Sequence, residues 1–182
     1  MAVAGAPAAR TALSAGQTAS SATQNVRGKP SKNRSSRLTQ VKVVTRGLRM
    51  ASHIADDGNT CATHSYGEVH EYFQKNPCVA LHREMYVLDD PHSQDKVVVA
   101  YASVEMEDTD QAQCLQELLD KDGSGNITEL SRERGAYRSV PYDDAAFASD
   151  RDGTVVVNAQ AKAVQGKPGK SNLELIAHDA VG

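Results

Sequence analysis

Two runs of strand-forming residues around a turn constrain this chain more than any other feature. Residues 79–88, "VALHREMYVL", place Leu81, Met85 and Val87 on one side, and residues 95–106, "DKVVVAYASVEM", form a longer β-branched run. The intervening "DDPHSQD" combines Pro with Asp and Ser, which is typical of a turn. We therefore predict that the two runs pair as a β-hairpin.

Helical patterns lie on either side of this hairpin. The segment "HSYGEVHEYFQKNP" spaces Val69, Tyr72 and Phe73 as on one helical face, with Ser65 as a candidate cap and Pro77 as the stop. A second helix is predicted from Thr109 to Leu119, with an apolar face formed by Cys114, Leu115, Leu118 and Leu119. We therefore expect one helix before the hairpin and one helix after it.

Further strands and a last helix complete the pattern. Val41 and Val43 alternate with polar residues and predict a strand that ends near Gly47. The segments "AYRSVPY" and "TVVVNAQAKAV" are predicted strands on either side of "SDRDG", whose Asp152-Gly153 pair favours a hairpin. In the C-terminal region, a capping box predicts a short final helix, with Ser171 and Glu174 as the box and Leu173, Ile176 and Ala180 as its apolar residues.

This order of elements predicts an α+β fold. Strand, helix, strand, strand, helix, strand matches the ferredoxin-like split β-α-β plan, with two packed helices, an extra C-terminal strand and a short terminal helix. We predict a flexible basic arm over residues 1–38 and a single α+β domain over residues 39–165. Residues 166–182 are predicted to form a linker and the short C-terminal helix. Many unrelated functions use this fold, so it does not indicate one of them.

The charge of the chain is unevenly distributed. Residues 1–55 contain nine Lys or Arg and no Asp or Glu, whereas the remainder carries 11 basic and 23 acidic residues, so the two parts hold +9 and −12. A basic arm of this kind can contact an anionic surface. The acidic domain disfavours nucleic-acid binding through the basic residues Arg27, Lys29, Lys32, Arg34 and Arg37. No apolar run is long enough to predict a membrane-spanning helix.

The segment "DKDGSGNITELS" resembles a calcium-binding loop. Asp120, Asp122 and Ser124 match positions 1, 3 and 5 of the EF-hand pattern, and Gly125 matches the turn position. The pattern fails at position 12, where Ser131 replaces the bidentate Glu. The simpler interpretation is a turn between two helices, with Asn126 and Glu129 as a capping box. No cofactor is therefore predicted, and a weak calcium site through Asp120, Asp122 and Ser124 is kept as the alternative.

The cysteines allow three interpretations. Cys61 and Cys78 flank the first predicted helix and can form a disulfide, which requires an oxidising compartment. Cys61, His64, Cys78 and His82 also supply the two-Cys, two-His ligand set of structural zinc sites. Cys78 and His82 would lie about 13 Å apart along a strand, which argues against zinc. Three reduced thiols are the remaining alternative.

An enzyme would have to use the histidines around the first helix. His64, His70 and Glu71 are the candidate catalytic residues, because an imidazole and a carboxylate can form a general acid–base pair. "HEYFQ" has Gln74 where a zinc protease helix requires a second His. Neither a phosphate-binding glycine loop nor a nucleophile motif accompanies these residues, so an ordinary charged helix surface is the simpler interpretation.

The segments "CATHSYGEVHEYFQKNPC" and "NITELSRERGAY" resemble small uncharacterised proteins of actinobacterial type, over about residues 40–164. The resemblance implies an envelope-facing or secreted domain behind an N-terminal hydrophobic segment, and it carries no known activity. Such a segment is not evident in this sequence, which leaves open whether residue 1 is the natural start. We therefore expect a non-enzymatic binding or protein-interaction domain outside the cytoplasm, whose ligand the sequence does not identify; a protein partner and a second copy are both compatible with it.

Overall fold

The computed structural model describes residues 36–38 and 40–182. Its helices are α1 (Gln40–Thr45), α2 (Gly67–Lys75), α3 (Thr109–Leu119), α4 (Leu130–Glu133) and α5 (Lys170–Val181). Its strands are β1 (Arg49–Gly58), β2 (Ala80–Asp89), β3 (Lys96–Glu105), β4 (Ala146–Asp152) and β5 (Val155–Gln165). A short 3₁₀ turn, Ala62–His64, precedes α2. Of the basic arm predicted for residues 1–38, residues 1–35 lie outside the described residues.

The five strands form one antiparallel sheet in the order β1-β2-β3-β5-β4. The α+β class is therefore confirmed. The strand order is not ferredoxin-like, because β1 and β2 are joined through α2 and yet lie side by side and antiparallel. In a split β-α-β unit the two strands joined by the helix run parallel, with another strand between them. Here the chain leaves the sheet after β1 and returns at the same end to begin β2.

Helices cover both faces of the sheet. On one face, α1 and α5 pack against a core that includes Tyr86, Val99 and Ala161. On the other face, α2 and α3 pack against Leu81 and Val104, and α4 contributes Leu130 to a neighbouring apolar cluster. Because side chains alternate along a strand, even-numbered residues of β2 face α1 and α5, and odd-numbered residues face α2–α4.

The hairpin predicted for residues 79–88 and 95–106 is confirmed, and the predicted turn at Asp152-Gly153 is present, but the strand before that turn is Ala146–Asp152 and not "AYRSVPY". The strands β2 and β3 pair over their full lengths, from Ala80 opposite Glu105 to Asp89 opposite Lys96. The strands β4 and β5 are joined at Gly153, whose φ of +61° suits a residue without a side chain. The helices predicted around Val69 and over Thr109–Leu119 are also present, as α2 and α3.

Three element predictions are wrong. The segment around Val41 and Val43 forms helix α1 instead of a strand, and Val43 is buried against the sheet. The strand that begins the sheet is β1, which was not predicted. The segment "AYRSVPY" is irregular rather than a strand, and it ends at Tyr142, whose hydroxyl is buried and hydrogen-bonds with Ser131.

The predicted caps also differ from those observed. The α2 helix begins after Tyr66, and the Ser65 hydroxyl donates to the carbonyl of Ala62. Helix α4 begins after Glu129 without a side-chain cap, and α5 begins after Gly169 without one. Asn126 instead accepts a hydrogen bond from the Ile127 N–H. These helices are short or buried against the sheet, so packing determines where they begin.

Candidate functional site

Four residues on the α1–α5 face of the sheet form a hydrogen-bonded group, which we call the His82 cluster: the buried residues His82, Glu84 and Tyr86, and the exposed Asp57 at its margin. His82 and Glu84 are 7% and 2% exposed. The His82 Nδ1 lies 2.9 Å from Asp57 Oδ1, and its Nε2 lies 2.9 Å from Glu84 Oε1. Each ring nitrogen thus faces a carboxylate oxygen, an arrangement that favours the doubly protonated imidazolium.

The second oxygen of Glu84 is also fully used. Its Oε2 accepts hydrogen bonds from the Tyr86 hydroxyl and from the Ser36 N–H, the latter at 2.9 Å. The His53 ring stacks on Tyr86 with centroids 4.4 Å apart, and His53 Nε2 lies 3.7 Å from Glu84 Oε1. Glu84 therefore ties β1, β2 and the segment before α1 together.

Burial and hydrogen bonding shift the pKa values of this cluster in opposite directions. Burial lowers the pKa of His82, but the hydrogen bonds with Glu84 and Asp57 outweigh it, so the pKa of His82 is raised. Burial raises the pKa of Glu84, but the hydrogen bonds from His82, Tyr86 and Ser36 outweigh it, so the pKa of Glu84 is lowered. Burial and the Glu84 carboxylate raise the pKa of Tyr86.

These shifts predict a pH window for the contribution of the cluster to stability. His82 has a pKa raised above its ordinary 6.5, so its contribution is complete below that value and is lost as pH rises through the raised pKa. We expect the free energy of unfolding of the native protein to fall, relative to that of a His82→Gln variant, as pH rises above 6.5. Urea unfolding of both proteins at a series of pH values measures this free energy. A difference in the free energy of unfolding that stays constant with pH would contradict the prediction. The control is His70→Gln, because His70 lies outside the His82 cluster.

A second charged group lies on the opposite face of the sheet, and we call it the Arg83 cluster: Asp56, His64, Arg83 and Glu133. Arg83 is 1% exposed. Its Nη1 and Nη2 each donate to one oxygen of Glu133 at 2.8 Å, and Nη2 also donates to Asp56 at 3.0 Å. This two-pronged pairing neutralises a cation that would be very costly to bury alone.

The Arg83 cluster joins four parts of the chain. Glu133 from α4 also contacts His64 Nδ1 at 2.9 Å, and Asp56 from β1 also pairs with Arg134 at 2.8 Å. The hydrogen bonds from Arg83 lower the pKa of Glu133 to about 2, with a smaller contribution from His64. The cluster therefore holds α4 and the 3₁₀ turn against the sheet.

The candidate catalytic residues are committed to different partners. His64 lies in the 3₁₀ turn and contacts Glu133, whereas His70 lies in α2, where its Nδ1 faces the Ala62 carbonyl at 2.7 Å. The Gln74 side chain lies 2.9 Å from His70 Nε2, which fits a ring that donates from Nδ1 and accepts at Nε2. Glu71 is exposed on the helix surface. The structure therefore gives His64 and His70 separate structural contacts.

The loop that resembles a calcium site is held by its own backbone. The Ser124 hydroxyl is buried and donates to the carbonyls of Leu118 and Lys121, at 2.6 and 2.8 Å. The Asp120 carboxylate accepts from Ser149 at 2.5 Å, and Asp122 is exposed. Within residues 36–38 and 40–182, no group of three or more His, Cys, Asp or Glu residues is placed to hold a metal ion.

The same loop instead closes the start of helix α2. The Ser124 carbonyl accepts from the N–H groups of Glu68 and Val69, at 2.6 and 3.3 Å, and the Asn126 carbonyl accepts from Tyr66 at 3.0 Å. The first N–H groups of a helix lack partners within the helix. The backbone of the loop supplies those partners, and this arrangement requires Gly125 to lie directly against Tyr66 and Gly67.

Calcium is therefore expected to leave the stability of the protein unchanged. A ligand that binds only the folded state stabilises it by RT ln(1 + [L]/Kd), so the unfolding temperature rises once the ligand concentration exceeds the dissociation constant. With the Ser124 hydroxyl facing backbone carbonyls, we expect no shift of the melting temperature at about 5 mM calcium chloride, compared with the same ionic strength of sodium chloride. A shift that Asp122→Ala removes would instead establish the calcium-binding alternative.

The disulfide predicted between Cys61 and Cys78 is confirmed, with Cα atoms 6.0 Å apart. Cys61 follows the end of β1, and Cys78 precedes the start of β2, so the bond closes the excursion through α2 where the two strands meet. The zinc alternative is not compatible with this pairing, because the two sulfur atoms are bonded to each other. Cys114 is a free, exposed thiol on α3.

A surface cleft of about 220 Å³ lies apart from both charged clusters. It is formed by the segment between α1 and β1, the first half of α5 and the β2–β3 turn, and its lining includes Leu48, Asp90, Asp95 and Ile176. Asp90 accepts hydrogen bonds from His92 and Ser93, and Asp95 accepts one from the Lys167 N–H. These carboxylates thus shape the turn, and the cleft shares no residue with the His82 or Arg83 cluster.

Comparisons with protein-family models, curated proteins and solved structures find no match to this chain. Among the described helices, none combines the length and the apolar character that a membrane crossing requires.

Proposed function

We propose that this chain is a non-enzymatic protein-interaction domain that works outside the cytoplasm and holds its partner by strand addition at β1. The outer edge of β1 is the observation that carries this proposal. A sheet edge presents backbone N–H and C=O groups that can pair with another strand. Partners of several kinds bind proteins by extending a sheet in this way.

The exposure of β1 supports its use as an interaction edge. Among the strands that the structure describes, β1 pairs with β2 alone, and six of its ten residues are exposed. The other edge strand, β4, has seven residues and is flanked by α3 and α5. A partner strand would therefore find a longer and less obstructed edge at β1.

The commitment of the buried ionisable groups supports a non-enzymatic role. His82 uses both ring nitrogens, Glu84 uses both oxygens, and Arg83 donates to two carboxylates. A general acid or base must be able to reach a substrate proton. Groups that are buried and paired in this manner stabilise the sheet.

The disulfide supports a location outside the cytoplasm. Structural disulfides persist in oxidising compartments and are rare where thiols are kept reduced. The resemblance of the sequence to envelope-facing or secreted proteins agrees with this location. The N-terminal hydrophobic segment implied by that resemblance stays a prediction.

Selection of extended peptides tests the interaction role. A displayed library of random ten-residue peptides would be selected on the immobilised, oxidised protein, and the bound peptides mapped by amide hydrogen exchange. We expect selected peptides to protect amides of residues 52–58 and to leave β4 unchanged. Selected peptides that protect only the cleft at Asp90, or no enrichment after repeated selection, would overturn the proposal.

A further inference from the structure

We infer that residues 29–35, the basic segment before Ser36, bind as a strap across one end of the α1–α5 face of this chain's own sheet. This end, which we call the acidic end, is where β2 and β5 begin and where β1, β3 and β4 end. Its carboxylates on that face are Asp57, Glu105, Asp150 and Asp152. The strap keeps water from the His82 cluster, and it does not depend on a partner at β1.

The described chain enters directly on the sheet, at Ser36. The Ser36 N–H donates to Glu84 Oε2 at 2.9 Å, and the Ser36 hydroxyl donates to the Ala180 carbonyl at 3.1 Å. The Arg37 N–H donates to the same carbonyl at 2.8 Å. The backbone thus passes between the middle of β2 and the C-terminal end of α5. Residue 35 must lie one Cα–Cα step, about 3.8 Å, from this point.

The residues after Ser36 take the chain away from the acidic end. Leu38 is buried in the core on this face, and α1 then leads into β1. The first residue of β1, Arg49, lies opposite Asp89, which is the last residue of β2. The half of the face beside the β2–β3 turn is therefore occupied by the chain after Ser36. The acidic end is the half that is left to the residues before it.

The sheet is covered at the acidic end. His82 on β2 lies opposite Ser103 on β3, and these residues are 7% and 2% exposed. Helix α5 lies mainly over β4 and β5, and its Val181 lines a small cleft with Val155 and Val157. Covering His82 and Ser103 requires a further segment over β2 and β3. The entry of the chain at Ser36 directs residues 29–35 to this position.

The length of the strap fits the distance that it has to cross. Four residues in extended conformation span about 13 Å. The four steps along β2 from Glu84 to Ala80 span the same length. Residues 32–35 therefore reach from Ser36 to the start of β2, where Ala80 lies opposite Glu105.

The charges of the two surfaces are complementary. Residues 29–35 contain Lys29, Lys32 and Arg34 and no acidic residue. At the acidic end, Glu105 Oε2 is buried and accepts no hydrogen bond from any described residue. A separate cationic peptide would carry the same charge, but the strap is covalently attached at Ser36. Attachment through so short a linker gives the strap an effective concentration in about the millimolar range.

A spin label next to the two central cations of the strap tests the inference. In a Cys114→Ser background, Asn33→Cys would carry a nitroxide, and the amide signals of the oxidised, full-length protein would be recorded by nuclear magnetic resonance. We expect loss of the Ser103 signal and retention of the Gln94 signal, because Gln94 lies in the β2–β3 turn at the other end of the sheet. Equal intensities of the two signals would overturn the inference.

Charge reversal provides a second test in the same labelled protein. Lys32→Glu combined with Arg34→Glu should restore the Ser103 signal, because the new carboxylates are repelled by those of the acidic end. Both substitutions precede Ser36, so the folded domain keeps its own residues. The control is Arg138→Glu combined with Lys170→Glu, which changes the net charge equally at exposed positions and should leave the Ser103 signal lost. The same Ser103 intensity in both charge variants would overturn the inference.

Discussion

Gly125→Ala is expected to destabilise the protein by about 3 kcal/mol or more. Gly125 has a φ of +101°, and a Cβ at this position would lie 2.0 Å from the Tyr66 carbonyl oxygen and 2.9 Å from the Gly67 Cα. Both neighbours are backbone atoms at the start of α2, so relief requires the loop to move away from the helix. The hydrogen bonds from Glu68 and Val69 to Ser124 would then be lost.

Gly123→Ala is the matched control for this prediction. Gly123 has a similar backbone conformation, with a φ of +78°, but no atom lies within 4 Å of an added Cβ. We expect a cost of only about 1–2 kcal/mol, from the left-handed conformation alone. Urea unfolding of the two variants measures the difference. Equal losses of stability would mean that contact with α2 does not constrain the loop.

Glu133→Ala is the second change with a large expected effect, about 3 kcal/mol of destabilisation. The substitution removes both acceptors at 2.8 Å from a guanidinium that is 1% exposed, and leaves Asp56 as its only carboxylate partner among the described residues. Breaking a buried ion pair typically costs 3–5 kcal/mol, and the partial exposure of Glu133 places this case near the lower limit.

Glu68→Ala gives the corresponding control at the surface. Glu68 pairs with Lys121 at 2.8 Å, but both side chains are more than half exposed. Such pairs contribute about 0–1 kcal/mol. The free energy of unfolding should therefore change much less in Glu68→Ala than in Glu133→Ala. In addition, Arg83→Met combined with Glu133→Leu should recover most of the loss, because apolar replacements remove the buried charge. A double variant as unstable as Glu133→Ala would contradict this explanation.

The elements that the sequence predicts correctly are those with strong local patterns. The strands β2 and β3 are rich in Val and Tyr and end at a turn, and α3 begins after Asp108, which caps it through the Gln111 N–H. In contrast, β1 is an edge strand with only Met50 and Ile54 as large apolar residues. Its last residues, "ADDG", have turn composition, so no local signal distinguishes it from a loop.

The charged clusters could be predicted only in part. Three consecutive ionisable residues, His82, Arg83 and Glu84, interrupt a strand that is otherwise apolar, and this is a signal of buried pairing. Their partners are not local, because Glu133 lies 50 residues from Arg83 and Asp57 lies 25 residues from His82. Sequence spacing identified His64 but could not connect it with Glu133.

The loop that resembles a calcium site shows that one sequence pattern is compatible with two different structures. Gly125 is required in both, since a sharp turn in a cation loop and close contact with another backbone both exclude a side chain. The difference lies in the Ser124 hydroxyl, which would face the ion in the first case and faces carbonyl groups here. Only the position of α2 beside the loop distinguishes them, and that position depends on tertiary packing.

The redox state of the cysteines in the native compartment tests most directly whether the protein works outside the cytoplasm. The unreduced protein would be denatured and alkylated, and its intact mass would be measured by mass spectrometry. We expect one modified thiol, Cys114, because Cys61 and Cys78 are joined in the folded protein. Three modified thiols would contradict the proposed location outside the cytoplasm.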